Sequence, residues 1–380
     1  MSERPNIIIY RDHLLPISET FVLAQGEALQ NFVPYYVGSR LEKGLTLPRE
    51  RVRVANGGGV RGKLAEGLFK VWNIAPSFYK SFLELQAALI HAHFGVGGAL
   101  ALPLGEFLQI PSIVTFHGFA ATIKDEYARR SFYGHRLYLR RRETLKRESR
   151  LFIAVSDFIK TKLLAQGFPP EKIIVHYIGI NINQFKPDRS LPRQPFVLFV
   201  GRLVEVKGCE FLIRAMARVQ QARPDVELVV IGDGLLRSAL EKIAANSLRR
   251  YRFLGAQPPE VVRTWMNRAK VFSVPSVTLE SGASEAFGTV FAEAQAMRLP
   301  AVSFASGGIP EAVAHGETGF LAPERDVEGL AAYILRLLNE ETLWQHFSKN
   351  GQERVRKLFN LQSQTRILED IYRAVLRGEL

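Results

Sequence analysis

Residues 280–321 read ESGASEAFGTVFAEAQAMRLPAVSFASGGIPEAVAHGETGFL. The run Val290, Phe291, Ala292, Ala294, Ala296 and Met297 is apolar and rich in alanine, which predicts a buried helix. Phe287-Gly288-Thr289 comes just before it and reads as the loop feeding the helix N-terminus. Leu299-Pro300 ends the helix, and Ala301–Phe304 is a short buried strand. Gly307-Gly308-Ile309-Pro310-Glu311 and His315-Gly316-Glu317-Thr318-Gly319-Phe320 follow as turns.

A helix N-terminus offers free N–H groups and the positive end of a dipole, so it suits a phosphate. Glu285 stands before this helix and Glu293 about a turn and a half inside it. The two carboxylates can flank an anionic ligand and accept hydrogen bonds from hydroxyls at its two ends. A phosphate set between two polyols describes a nucleotide sugar. The E-x7-E spacing alone favours a buried helix with a glycine start and two solvated glutamates, and it is the segment after the helix that changes the weighing.

Working outward, short apolar strands alternate with helices along the whole chain, which implies parallel βαβ units. Asn6–Tyr10, Val33–Gly38, Leu89–Phe94, Ser112–Phe116, Leu151–Val155 and Lys172–Tyr177 form one series. Phe196–Val200, Glu227–Ile231, Arg252–Leu254, Val271–Val274 and Ala301–Phe304 form a second. Between them FKPDRSLPRQP (185–195) holds three prolines and reads as a linker. The expected domains are 1–187 and 195–362, each α/β and doubly wound, facing each other across a cleft. In such sheets ligands sit beyond the strand C-termini.

The chain has 380 residues, 47% of them hydrophobic, enough for two cores. Lys and Arg total 50 against 37 Asp and Glu. Residues 1–190 carry 26 basic and 16 acidic side chains, so the first half holds most of the excess and a polyanionic partner is expected. Cys209 is the one cysteine, which excludes an internal disulfide. The opening MSERPNIIIY lacks a signal-peptide layout. The longest apolar stretch, 85–104, is interrupted by Gln86, His91 and His93 and reads as strand–turn–helix. The expected location is cytoplasmic, with peripheral contact to the inner face of the plasma membrane.

The strand ends carry the remaining candidates. Arg202 and Lys207, in Gly201-Arg202-Leu203-Val204-Glu205-Val206-Lys207-Gly208, are two cations suited to a diphosphate leaving group. Gly232-Asp233-Gly234 reads as a tight turn, and Cys209 as a packed small residue. His117 ends a strand in Thr115-Phe116-His117-Gly118, where a histidine can meet a sugar or be satisfied in its turn. His91 and His93 share one strand face without a third metal ligand at matching spacing, so no metal site is expected. His93 reads as an acceptor-side candidate and His91 as structural.

These elements taken together resemble the family-four retaining glycosyltransferases, which have the GT-B fold. The resemblance lies in E-A-F-G at 285–288, E-A-Q-A at 293–296, L-P-A-V at 299–302, G-G-I-P-E at 307–311 and G-E-T-G-F at 316–320. The G-R-x-x-x-x-K-G run at 201–208 and T-F-H-G at 115–118 extend it. It covers most of residues 110–360 closely and the first 100 loosely. It implies that Glu285 holds sugar hydroxyls and Glu293 the ribose. Arg202, Lys207 and the Gly288-Thr289 amides would hold the diphosphate, with Phe287 in the same segment, and His117 would face the donor sugar. It also implies a last helix (363–380) returning to the first domain, and no cofactor or catalytic metal. Where many relatives carry a glycine-rich loop, this chain has Pro16-Ile17-Ser18-Glu19-Thr20-Phe21, wording that resembles a subgroup associated with bacterial exopolysaccharides such as colanic acid. Ser18 and Glu19 thereby become acceptor-side candidates.

The expected reaction is retaining transfer of a sugar from a nucleotide-diphosphate sugar to a saccharide or lipid-linked acceptor. The rival reading is a degenerate basic GT-B module that holds polyanions without turnover, and the intact Arg202, Lys207, Glu285 and Glu293 argue against it. A nucleotide-sugar epimerase would share the fold, but the E-x7-E segment favours transfer. Arg129–Arg150 holds nine Lys and Arg residues against Glu143 and Glu148, interleaved with Tyr133 and Tyr138. A charge run is usually a solvated face. Here an anionic membrane surface is the expected partner, rather than nucleic acid.

Overall fold

A computed structural model describes residues 4–14, 16, 19–42, 44–72, 75–188 and 190–380. The chain divides into two compact units, one reaching Gly179 and completed by Leu361–Leu380, the other Ile180–Asn360.

The first unit is built on a seven-stranded sheet. Its spatial order is Val52–Val54, Val33–Gly38, Asn6–Tyr10, Leu89–His93, Ser112–Phe116, Leu151–Ala154 and Ile173–Val175, with every neighbour parallel. The central strands are mostly apolar and buried, as in a parallel sheet covered on both faces. Ile7, Ile9, Leu89, Ile113, Leu151 and Ile153 form one cluster with Leu368, Tyr372 and Val375 of the Leu361–Arg377 helix. That terminal helix is also fixed by a buried carboxylate. Glu369 accepts from the backbone N–H of Gln30 (2.6 Å) and of Asn31 (2.7 Å).

The second unit repeats the winding with six parallel strands: Tyr251–Phe253, Glu227–Ile231, Gln194–Val200, Ala269–Ser273, Ala301–Phe304 and Gly319–Ala322. In each sheet the first strand of its unit lies beside the fourth, and the crossovers run outward from there in both directions. That is the topological switch point at which doubly wound sheets bind ligands.

The division falls earlier than the proline-rich stretch. Ile180 forms a parallel bridge to Asn360 and donates its N–H to Phe359 O (2.6 Å), so it already belongs to the second unit. Residues 186–188 and 190–193 belong to that unit as well. Asp188 N–H bonds to Asn267 Oδ1 (2.9 Å), and the Arg193 guanidinium is received by the carbonyls of Met266, Ala269, Met297 and Arg298. Burial holds the Arg193 pKa down, to about 10. Gly319–Ala322, whose first two residues read as the end of a turn, is the last strand of the sheet, and Val52–Val54 is an unexpected edge strand. Both are too short to show a period of two.

Candidate functional site

The switch point of the second sheet brings two of the expected residues into contact. Lys207 Nζ pairs with Glu285 Oε2, and Ser276 Oγ lies 3.5 Å from the same oxygen. Lys207 comes from the loop after the first strand, Ser276 from the loop after the fourth. The approach depends on Gly208, at φ +64°, where an added Cβ would stand 1.8 Å from Pro275 O. Only glycine tolerates both that angle and that proximity.

Glu285 is held from the other side by the Gly307-Gly308 turn. Gly308 donates its N–H to Glu285 O (2.9 Å). A Cβ on Gly307 would lie 2.1 Å from Glu285 O, and one on Gly308 1.9 Å from Ala286 O. Gly288, at φ +80°, caps the Thr289–Ala296 helix and gives its carbonyl to Phe291 N–H (3.0 Å). Gly232 allows the 201 loop to lie against its own: a Cβ there would sit 1.9 Å from Gly201 O.

Glu293 keeps some exposed surface yet lies deep among protein atoms. Burial pushes its carboxyl up to about 7, against a smaller opposing effect of Arg263. It makes no side-chain hydrogen bond among the described residues. Arg202 is exposed, and its guanidinium likewise has no hydrogen bond or ion pair among them. Phe287 departs from the expected ligand contact: its ring is buried edge-on against Phe359 at 5.0 Å, so it supports the loop from beneath. Asp233 is occupied by Gly234 N–H and Arg237, an ordinary turn. The Cys209 thiol is buried, which raises its pKa and leaves it inert.

The first unit gathers a histidine stack at its own switch point. His93 Nδ1 and His117 Nε2 are 2.9 Å apart with nearly parallel rings, and His91 lies behind His93 at 4.4 Å between centroids. His91 is fully engaged by Tyr372 Oη and Thr115 Oγ1, both at 2.6 Å. Burial, and for each a neighbouring histidine, hold all three pKa values well below 6.5, so the stack is neutral. His93 has no exposed surface and reaches His117. Phe21 and Phe94 flank His117 at 4.9 and 4.8 Å. Glu19 receives Arg11 in a two-pronged bond of 2.7 and 2.8 Å. Ser18 lies outside the described residues. Arg11, which the sequence reading passed over, follows the first strand just as Arg202 follows the first strand of the second unit. That strand-end position is the signal that would have found it.

Much of the Arg129–Arg150 run is engaged within the fold. Arg142 forks onto Asp125 (2.6 and 2.7 Å), and Arg141 donates to Ala99 O (3.0 Å). Lys146 bonds to Glu143 and Gln166 O (2.7 Å each), and Arg150 to Gly378 O (2.9 Å). Arg129, Arg130, Arg136 and Arg140 are exposed. Among the described residues no group of three His, Cys, Asp or Glu side chains is placed to hold a metal ion.

The model of glycosyl transferases group 1 matches residues 181–354, and that of Glycosyltransferase Family 4 matches residues 19–184. The amylovoran biosynthesis glycosyltransferase AmsK of Erwinia amylovora is 35% identical over 67% of this chain and 62% of its own length. The putative colanic acid biosynthesis glycosyltransferase WcaL of Salmonella typhimurium is 30% identical over 75% of this chain and 70% of its own. The chain belongs to the family-four glycosyltransferases. Its fold is GT-B. Anabaena Alr3699/HepE, solved with UDP and glucose, superposes with a TM-score of 0.77 at 21% identity, over 97% of this chain and 99% of that one. Sucrose-phosphate synthase from Thermosynechococcus elongatus gives 0.78 at 23% identity, over 99% and 100%.

Proposed function

We propose that this family-four glycosyltransferase transfers a sugar, with retention, from a nucleotide-diphosphate sugar to a saccharide or lipid-linked acceptor in bacterial surface polysaccharide synthesis. The observation that carries the reading is the Lys207–Glu285 pair at the second unit's switch point, beside the glycine-capped start of the Thr289–Ala296 helix. A cation, a carboxylate and free helix amides meeting there match a phosphate next to a polyol. Exposed Arg202, on the loop after the first strand, supplies a second positive charge. Ionised Glu293 accepts from ribose hydroxyls.

In the reaction the bond from the sugar's anomeric carbon to the diphosphate oxygen breaks, and the electron pair leaves with the diphosphate. Arg202, Lys207 and the helix amides stabilise that charge. The acceptor oxygen bonds to the same face of the carbon, and its proton passes to the departing phosphate oxygen. Glu285 orients the sugar hydroxyls. Because the protein's cations neutralise the diphosphate, no metal is needed. The polysaccharide assignment is supported by the names of the amylovoran and colanic acid relatives and by the PISETF segment.

The test is direct. UDP-, GDP- and ADP-sugars are screened for binding by calorimetry, and the binder is incubated with polyprenyl-linked saccharides in EDTA. Expected are tight binding of one class and a product whose new linkage keeps the donor's anomeric configuration by NMR. An inverted linkage, or activity lost in EDTA and restored by Mg²⁺ or Mn²⁺, overturns the mechanism. Absence of binding to every nucleotide sugar overturns the function.

A further inference from the structure

The Gly59–Trp72 helix has an apolar face turned to solvent. Val60, Leu64, Leu68, Val71 and Trp72 are all exposed, Val60 by 76% and Trp72 by 66%. At 3.6 residues per turn these five fall within an arc of about 120°, with Arg61 near its Trp72 edge. The opposite side is the one the fold uses: Gly62 and Phe69 are buried there, and Phe69 meets Phe78 and Tyr79 edge-on. The usual orientation of an amphipathic helix is thus reversed, with the wider apolar stripe facing out.

The exposed charges on the helix itself have one sign. Arg61 and Lys63 are exposed on the helix itself. Its one acid, Glu66, is taken by Lys70 and Asn56, at 2.8 Å each. Tyr133 Oη bonds to Lys70 O (3.3 Å), which brings the start of the Tyr133–Glu148 helix to the end of this one. Phe132 is exposed beside that contact, and Arg129, Arg130 and Arg136 are exposed near it in sequence. An apolar stripe with a cationic rim and a tryptophan at one end matches the interface of an anionic bilayer, where acyl chains lie under phosphate headgroups. The helix has 14 residues, about 21 Å, too short to cross a bilayer. A second copy fits poorly, because a twofold contact would set the basic rims against each other.

We infer that the Gly59–Trp72 helix docks this protein in the plane of an anionic lipid surface, with Leu64, Leu68 and Trp72 inserted and Arg61 and Lys63 on the headgroups. The inference stands apart from the donor chemistry. The intact chain is sedimented with vesicles of phosphatidylcholine alone, and of phosphatidylcholine with phosphatidylglycerol, at low and high salt. Wild type should bind the anionic vesicles and weaken as salt rises. Leu64→Glu/Leu68→Glu should bind at least tenfold more weakly, and Arg61→Glu/Lys63→Glu should lose most of the salt dependence. Both positions face solvent, so the circular dichroism spectrum and nucleotide-sugar binding should stay as in wild type. Trp72 emission should shift to the blue on anionic vesicles, and the shift should vanish in Trp72→Phe. The inference is overturned if the Leu64→Glu/Leu68→Glu variant sediments like wild type, or if neutral vesicles are bound equally well. It is also overturned if ultracentrifugation without lipid shows those substitutions dissolving a dimer.

Discussion

At the residue scale, the Lys207–Glu285 pair and Glu293 make separate, checkable statements. Lys207→Ala removes the cation that a diphosphate would share with Glu285 and leaves that carboxylate without its partner. A charge-assisted hydrogen bond contributes about 1.5–3 kcal/mol. Nucleoside diphosphate affinity should therefore fall at least tenfold by calorimetry while the nucleoside alone is held as before. Equal loss of both would place Lys207 away from the phosphates. Glu293 is a carboxyl whose folded-state pKa, about 7, lies above its usual value. A raised carboxyl pKa contributes stability that is full below the unfolded value and lost as pH rises through the folded one. Glu293→Gln escapes that loss, so its melting temperature should gain on wild type between pH 5 and pH 8. If the ionised form is what accepts from a ribose, wild-type donor affinity should weaken as pH falls below 7. Between pH 8 and pH 6 the change approaches about tenfold. Glu293→Gln should show a flat profile, and a wild type equally flat would remove Glu293 from the ribose.

At the scale of elements, the loops around Glu285 are packed backbone on backbone, and glycine is what allows it. Gly308→Ala is informative because Gly308 has an ordinary negative φ, so its effect is purely steric. Overpacking of this kind costs about 1–3 kcal/mol. The variant should lower the melting temperature by a few degrees and weaken donor binding, since Ala286 carries the chain that presents Glu285. Unchanged donor affinity would show that the turn only closes the fold. The same physics explains why G-G-I-P-E was legible as a motif while its role was not. Two glycines in sequence announce a turn, but which carbonyl they press against is a tertiary fact.

At the scale of the molecule, the last helix completes the first unit although 181 residues of the other unit, 180–360, separate them. Glu369 is its anchor, buried and capping the N–H groups of Gln30 and Asn31. Glu369→Ala removes the charge-assisted bonds to those two N–H groups, at a cost of about 1.5–3 kcal/mol. Two melting transitions resolved by calorimetry should then move apart, with the first unit's falling and the second unit's holding still. A uniform shift of both would mean that the units unfold as one.

The sequence by itself determined the doubly wound class, the two strand series and the positions of Arg202, Lys207, Glu285, Gly288 and Glu293. Local physics writes these: apolar runs of strand length, glycines where a turn needs them, and charged residues just past strand ends. Short edges such as Gly319–Ala322 escaped, because four residues carry too little periodicity. Only the tertiary structure decided which partners meet. It closed Lys207 onto Glu285 across 78 positions, buried Phe287 against Phe359, and set His93 under His117. It also left the apolar stripe of Gly59–Trp72 facing solvent, while much of the Arg129–Arg150 run turned inward onto Asp125 and backbone carbonyls. Charge count is a property of the sequence, whereas exposure depends on what packs against each side chain.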